Sequence, residues 1–301
     1  MALIPLKIPP GVYRNGTEYQ AAGRWYDSNL VRWYENTLRP IGGWRKRSTT
    51  QLSGLCRGLL AWRSNSGGRY VAAGTQSKLY VMDENSVIKD ITPTGFTTGR
   101  ADAVSGTGYG YNTYGSFAYG VARPDTGSLA LATTWSLDTW GEYLVACSDT
   151  DGKLYEWQLG FATPTKAAAI TNAPTGCAAL LVTSERIIFA LGSGSNGRKV
   201  SWCDQEDNTQ WTPASTNQAG DFELATVGSL KAGKRVRGVN LLFTDVDVHV
   251  ANYIGLPFVY SFEKAGSGCG VISSQAIAAI DTSAMWMSKS GFGSTTGTSS
   301  Q

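Results

Sequence analysis

The stretch Glu142–Gln158, EYLVACSDTDGKLYEWQ, decides the fold. A short apolar run is followed by a turn on Asp149, Asp151 and Gly152, then by a second run carrying Tyr155 and Trp157. Two such runs around an Asp/Gly turn read as an antiparallel hairpin. Variants recur along the chain: RYVAAGTQSKLYVMD from Arg69, RIIFALGSGSNGRKVSWCD from Arg186, LLFTDVDVHVANYIG from Leu241 and AMWMSKSGF from Ala284. With Tyr70, Tyr143, Ile187, Leu242 and Trp286 as equivalent points, the spacings are 73, 44, 55 and 44 residues. A four-stranded propeller blade takes roughly 40 to 50 residues, so the spacing predicts an all-β, β-propeller-like body. A β-sandwich also yields hairpins at uneven spacing and stays open as the alternative.

Composition agrees with an all-β chain. The 301 residues include 36 Gly, 10 Trp and 14 Tyr, and only 16% are charged, against roughly a quarter in ordinary soluble proteins. Aromatic and β-branched side chains suit a half-buried pleated surface, and glycine suits the turns. The long first interval holds GTGYGYNTYGSFAYG, Gly106 to Gly120, expected to be a Gly/Tyr-rich insertion in a loop. Residues 1–50 lack a clean period and read as an irregular arm of short strands and turns, with 51–290 as the body. The closing GFGSTTGTSSQ, residues 291–301, reads as a polar flexible tail.

The net charge of +3 is unevenly spread. The first 50 residues hold eight Lys or Arg against three acids, and the remainder 18 against 20. A charged partner surface is therefore expected at the arm. The five cysteines are dispersed and include no Cys-x-x-Cys pair, which argues against a disulfide framework or a zinc ribbon. MALIPLKIPPG lacks the continuous apolar core of a secretory signal, and no stretch approaches the ~18 apolar residues of a membrane helix. Folding in the cytoplasm without a membrane anchor is the expectation.

Motif by motif, catalytic chemistry finds little support. Gly192–Lys199, GSGSNGRK, misses the P-loop pattern because Arg198 separates Gly197 from Lys199 and Val200 follows, so a long hairpin turn is expected. The single histidine, His249, argues against multi-histidine metal sites. Strand alternation places Asp245, Asp247 and His249 on one face, either as a divalent-ion site or as the polar side of a half-buried strand. The polar-side reading is preferred, with no metal and no cofactor. Asp204, Glu206 and Asp207 beside Trp202 and Trp211 raise a carbohydrate-binding or glycan-hydrolysing site, against the simpler reading of a solvated loop. More informative is the arm, where Arg14, Arg24, Trp25, Tyr26, Asn29, Arg32, Trp33, Arg39 and Trp44 interleave cations with aromatics. Trp, Tyr and Arg are enriched where proteins anchor to one another. Asp27 and Glu35 would repel phosphates, so a protein interface is preferred to a nucleic-acid one.

The segment GRWYDSNLVRWYENTLRPIGGW, Gly23 to Trp44, resembles the leading segment of phage tail-hub proteins, also called packaged-DNA stabilisation or head-completion proteins. KVSWCDQEDNTQWTP from Lys199, the run Ala219–Gly255, and the SFEKAGSGCGVIS and AMWMSKSGF segments are similar to the propeller body of the tail nozzle of short-tailed phages. The likeness spans most of the chain at dispersed positions. It implies a non-enzymatic virion tail protein forming a six-fold ring below the portal and adaptor. Such a ring continues the DNA channel, retains the packaged genome until ejection and docks fibres or spikes. Its wall is expected to be electrostatically non-sticky towards passing double-stranded DNA. Family members continue through further strands beyond the position of Phe292, which leaves the number of blades open.

Overall fold

A computed structural model of the chain describes residues 8–43, 45–104, 130–160 and 165–296. The chain divides into two compact units, 1–49 and 50–301. In the first, β1 (Val31–Tyr34) and β2 (Thr37–Pro40) form a hairpin. Both turn residues, Glu35 and Asn36, have positive φ, 49° and 59°, the conformation whose twist matches a two-residue hairpin.

The second unit is a β-propeller of five blades, each a consecutive antiparallel sheet. Blade one is β3 (Cys56–Arg63), β4 (Arg69–Thr75), β5 (Leu79–Met82) and β6 (Ile88–Asp90). Blade two is β7 (Trp135–Trp140), β8 (Tyr143–Ser148), β9 (Leu154–Trp157) and β10 (Ala168–Ala169). Blade three is β11 (Ala179–Val182), β12 (Ile188–Leu191), β13 (Lys199–Trp202) and β14 (Gly220–Glu223). Blade four is β15 (Leu230–Val236), β16 (Val239–Thr244), β17 (Asp247–Gly255) and β18 (Val259–Ser267). Blade five is β19 (Ile277–Ile280), β20 (Ser283–Ser288) and β21 (Gly291–Thr296). The five equivalent points of the sequence fall on the second strand of every blade or, for Ile187, directly before it.

These second strands are apolar at nearly every position because both of their faces are covered. On β8, Leu144 and Ala146 join Ala72, Leu79 and Val81 of blade one. The alternate residues Val145 and Cys147 join Leu180, Ile188 and Leu191 of blade three. On β16 and β20, Leu241, Phe243, Ala284 and Trp286 close the joint between blades four and five. The faces at the two ends of the series differ: Leu59 of blade one is 70% exposed and Met285 of blade five 62%.

Where one blade meets the next, bulk is matched by glycine. Trp135, first residue of β7, is 2% exposed and lies over blade one. A Cβ placed on Gly74 would stand 2.3 Å from its ring, and one on Gly58 2.6 Å from its own Cβ. Its Nε1 donates to the Thr75 carbonyl at 2.7 Å, and Phe96 stacks on it at 5.2 Å. Between β7 and β11 the joint is made by side chains acting on backbone. Ser136 Oγ donates to Leu180 O and accepts from Leu180 N, and Asp138 Oδ2 accepts from Val182 N at 2.9 Å. Both pairs are 44 residues apart, the repeat length read in the sequence.

The expected flexible tail from Gly291 is corrected, because Gly291–Thr296 is a strand paired with β20. Its small residues are what the pairing needs. Gly293 faces Trp286, whose ring would stand 2.4 Å from a Cβ there. The Gly106–Gly120 insertion and residues 297–301 lie outside the described residues.

Candidate functional site

The arm brings its interface residues together in pairs. Trp25 and Trp33 meet edge to face at 6.5 Å, both half-buried. Arg14 pairs with Asp27 at 3.2 Å and lies over Tyr26, Arg24 lies over Tyr13, and Arg39 lies over Tyr34. Arg32 and Arg39 are exposed and directly opposite in the β1–β2 register. Like charges opposed across strands destabilise a ribbon unless an acidic group approaches. Asn29 is exposed beside Leu30, and Trp44 lies outside the described residues. Ala21 is the one buried apolar residue among the arm's described residues.

Other sequence candidates dissolve in the geometry. Asp245 sits in the turn before β17, where its Oδ1 accepts from Ser229 N, so it does not share a strand face with Asp247 and His249. The latter two are interior, not the polar side of a half-buried strand. Burial raises the Asp247 carboxyl pKa, but the ammonium of Lys264 at 3.0 Å and the hydroxyl of Thr226 outweigh it and hold the pKa below the ordinary value. Burial lowers the His249 pKa against the opposing pull of Asp247, and its Nε2 has no hydrogen-bond partner. Among the described residues no three His, Cys, Asp or Glu side chains gather as a metal site.

Trp202 and Trp211 are likewise core residues, with both indole N–H groups bound to carbonyls, of Gln218 and Asn208. Asp204 and Asp207 cap turns by accepting from Gln205 N, Gln218 N and Thr209 N, so no exposed aromatic platform faces paired acids there. Gly192–Gly197 is the turn between β12 and β13, closed by a short 3-10 segment. Burial lifts the thiols of Cys177 and Cys203 to about 12 and that of Cys147 well above its ordinary value, which leaves them inert.

The propeller axis is a site that no sequence motif signals. The inner strands β3, β7, β11 and β15 line a cavity of about 250 Å³ together with Ser274 and Gln275. At the end where these strands begin, the cavity opens into a mouth of about 650 Å³. Lys231 lines both cavities, Arg57 the mouth, and Lys234 and Arg235 the axial cavity. Asp138, at the Lys234–Arg235 end, has its pKa raised by burial against the pull of Arg235 at 3.6 Å.

No protein-family model matches the chain, and no curated protein matches it. Among solved structures it is similar to catalytically inactive virginiamycin B lyase from Staphylococcus aureus with quinupristin. That match has 8% identity over 82% of this chain and 72% of that one, with a TM-score of 0.43. It is also similar to prolyl endopeptidases, at 14% identity over 80% of this chain and 41% of that one, TM-score 0.31. A third likeness is to the extracellular domain of a putative hybrid two-component system from B. thetaiotaomicron, at 13% identity over 83% and 39%, TM-score 0.29.

Proposed function

We propose that this chain is a non-enzymatic structural subunit of a short-tailed phage tail, a hub or nozzle protein that assembles into a ring through its N-terminal arm. The supporting observation is the arm, which exposes Arg24, Arg32 and Arg39 and leaves Trp25, Tyr26 and Trp33 half-buried, with Ala21 the single buried apolar residue among its described residues. A segment of that size without a core of its own gains order by burying its aromatics against another surface. In this reading the propeller is the rigid body, and the arm docks on a neighbouring copy or on the portal–adaptor assembly. The opposed Arg32 and Arg39 ask for an acidic patch on the receiving protein. The axial cavity of about 250 Å³ is far too small for a duplex whose major groove alone is about 12 Å wide. DNA would therefore pass through the hole of the ring, between subunits. Residency in the virion tail, six-fold symmetry and docking of fibres or spikes belong to the same proposal.

Native mass spectrometry and negative-stain imaging, with and without portal–adaptor components, test it. A closed ring with an axial hole, lost in Trp25→Ala or Trp33→Ala while the β spectrum of the subunit persists, is the expected result. A monomer that ignores those components, or both variants assembling normally, would sink the proposal.

A further inference from the structure

We propose that the axial mouth of the propeller is a binding site for a small organic anion, a carboxylate carried on an apolar body. The argument begins with two irregularities of the backbone. The β3–β4 register shifts between Cys56 and Gly58, and the β15–β16 register shifts between Leu230 and Ala232. The residues skipped in the two ladders are Arg57 and Lys231. A bulge turns a side chain out of its regular alternation, and bulges occur beside functional sites for that reason. Both bulges lie at the beginnings of inner strands in different blades, and both cations line the same mouth.

Hydrogen bonds around the pocket show what it lacks. Thr134 donates through Oγ1 to Asp149, whose other oxygen accepts from Thr134 N and Thr150 Oγ1, and Thr134 also meets Ser274 Oγ at 3.2 Å. Gln275 donates from its side chain to Trp135 O and from its backbone to Ser273 Oγ. The neutral and acidic groups of the wall are thus engaged with one another. The cations are less engaged. Among the described residues Arg57 Nη1 has no hydrogen-bond partner, and Nη2 reaches Asp102, an exposed carboxylate, at 3.7 Å. Lys231 is half-buried and has no ion pair among the described residues. Arg100 donates to the carbonyl of the lining residue Leu131 at 2.9 Å.

The rest of the lining is apolar, notably Leu131 and Ile272. A mouth of about 650 Å³ falls within the range of small-molecule pockets, which combine an apolar wall with a few convergent polar groups. A planar carboxylate matches the two-pronged donor geometry of a guanidinium. Its apolar body then lies against Leu131 and Ile272. The site lies in the propeller and does not depend on ring assembly.

Calorimetric titration of the full chain with benzoate, benzamide and inorganic phosphate tests this. Benzoate is expected to bind saturably with a Kd of about 1 mM or tighter, and benzamide and phosphate at least tenfold more weakly. Arg57→Gln and Lys231→Gln are each expected to weaken benzoate severalfold or more. Should Arg57→Gln fail to fold by circular dichroism, Lys231→Gln carries the test, since that side chain makes no ion pair among the described residues. Absence of saturable benzoate binding, equal binding of benzamide, or unchanged affinity in every folded variant would overturn the proposal.

Discussion

Replacing Trp135 with alanine removes the side chain that seats blade two on blade one. The ring is 2% exposed, covers Gly58 and Gly74, stacks on Phe96 and donates to the Thr75 carbonyl. Truncating a buried tryptophan costs about 3–5 kcal/mol through lost transfer energy and the cavity left behind. The stranded carbonyl adds about 1 kcal/mol. Trp135→Ala is therefore expected to lose about 4–6 kcal/mol, a large fraction of a typical domain's stability. Gly74→Ala approaches the same joint from the other side. Its new methyl meets a fixed ring, and overpacking of this kind costs about 1–3 kcal/mol. In the Trp135→Ala background that methyl enters the cavity, so the cost should nearly vanish, giving a coupling of about 1 kcal/mol or more. Urea unfolding followed by far-ultraviolet circular dichroism measures all four states of the cycle. A Trp135→Ala loss under about 1.5 kcal/mol, or additive effects of the two substitutions, would refute the account of this joint.

Other outcomes follow from the same geometry. Charge reversal of the opposed arginines, Arg32→Glu with Arg39→Glu, is expected to abolish arm-dependent assembly without moving the propeller's melting temperature, read by native mass spectrometry and thermal melting. His249 is buried with its pKa lowered, so the stability drawn from its neutral form is complete above about pH 6.5 and declines as pH falls towards its folded pKa. The slope of stability between about pH 7 and 5 should flatten in His249→Asn, and an unchanged slope would assign the dependence to other groups. Chelation with EDTA should leave the melting temperature unchanged, because Asp245 is tied to Ser229 and Asp247 to Lys264. Asp204→Ala should cost about 1–2 kcal/mol in urea unfolding, since one carboxylate oxygen accepts from both Gln205 N and Gln218 N.

The parts of this fold legible in sequence are the hairpins between second and third strands. Val71–Thr75, Leu144–Ser148, Ile188–Leu191 and Leu241–Thr244 are packed on two faces, so their residues are constrained at successive positions and the signal accumulates. The inner strands β3, β7 and β15 carry no such signal. CRGLLAWR, WSLDTW and LKAGKRV mix charges, glycine and apolar residues, because one side of each meets a blade and the other lines the axis. Arg57 and Lys231 stand out in no sequence pattern for that reason, and because the bulges that aim them arise in pairing with β4 and β16. Composition misjudged β21, where Gly293 is required by the Trp286 ring rather than by mobility. It likewise left Trp202 and Trp211 open as part of a sugar site, since an indole counts equally in a core and on a sugar platform.

The bonds from Ser136 and Asp138 to the edge of β11 also bear on how the repeat tolerates insertions and deletions. A one-residue slip in β7 would turn both side chains to the opposite face and leave the Leu180 and Val182 amides without acceptors. Blade two thus reads the alignment of blade three. Length changes are filtered out of the inner strands and collect in the links between sheets, as in the long connection from β6 to β7. Such links can lengthen without disturbing the 44-residue offset that the neighbouring strands verify.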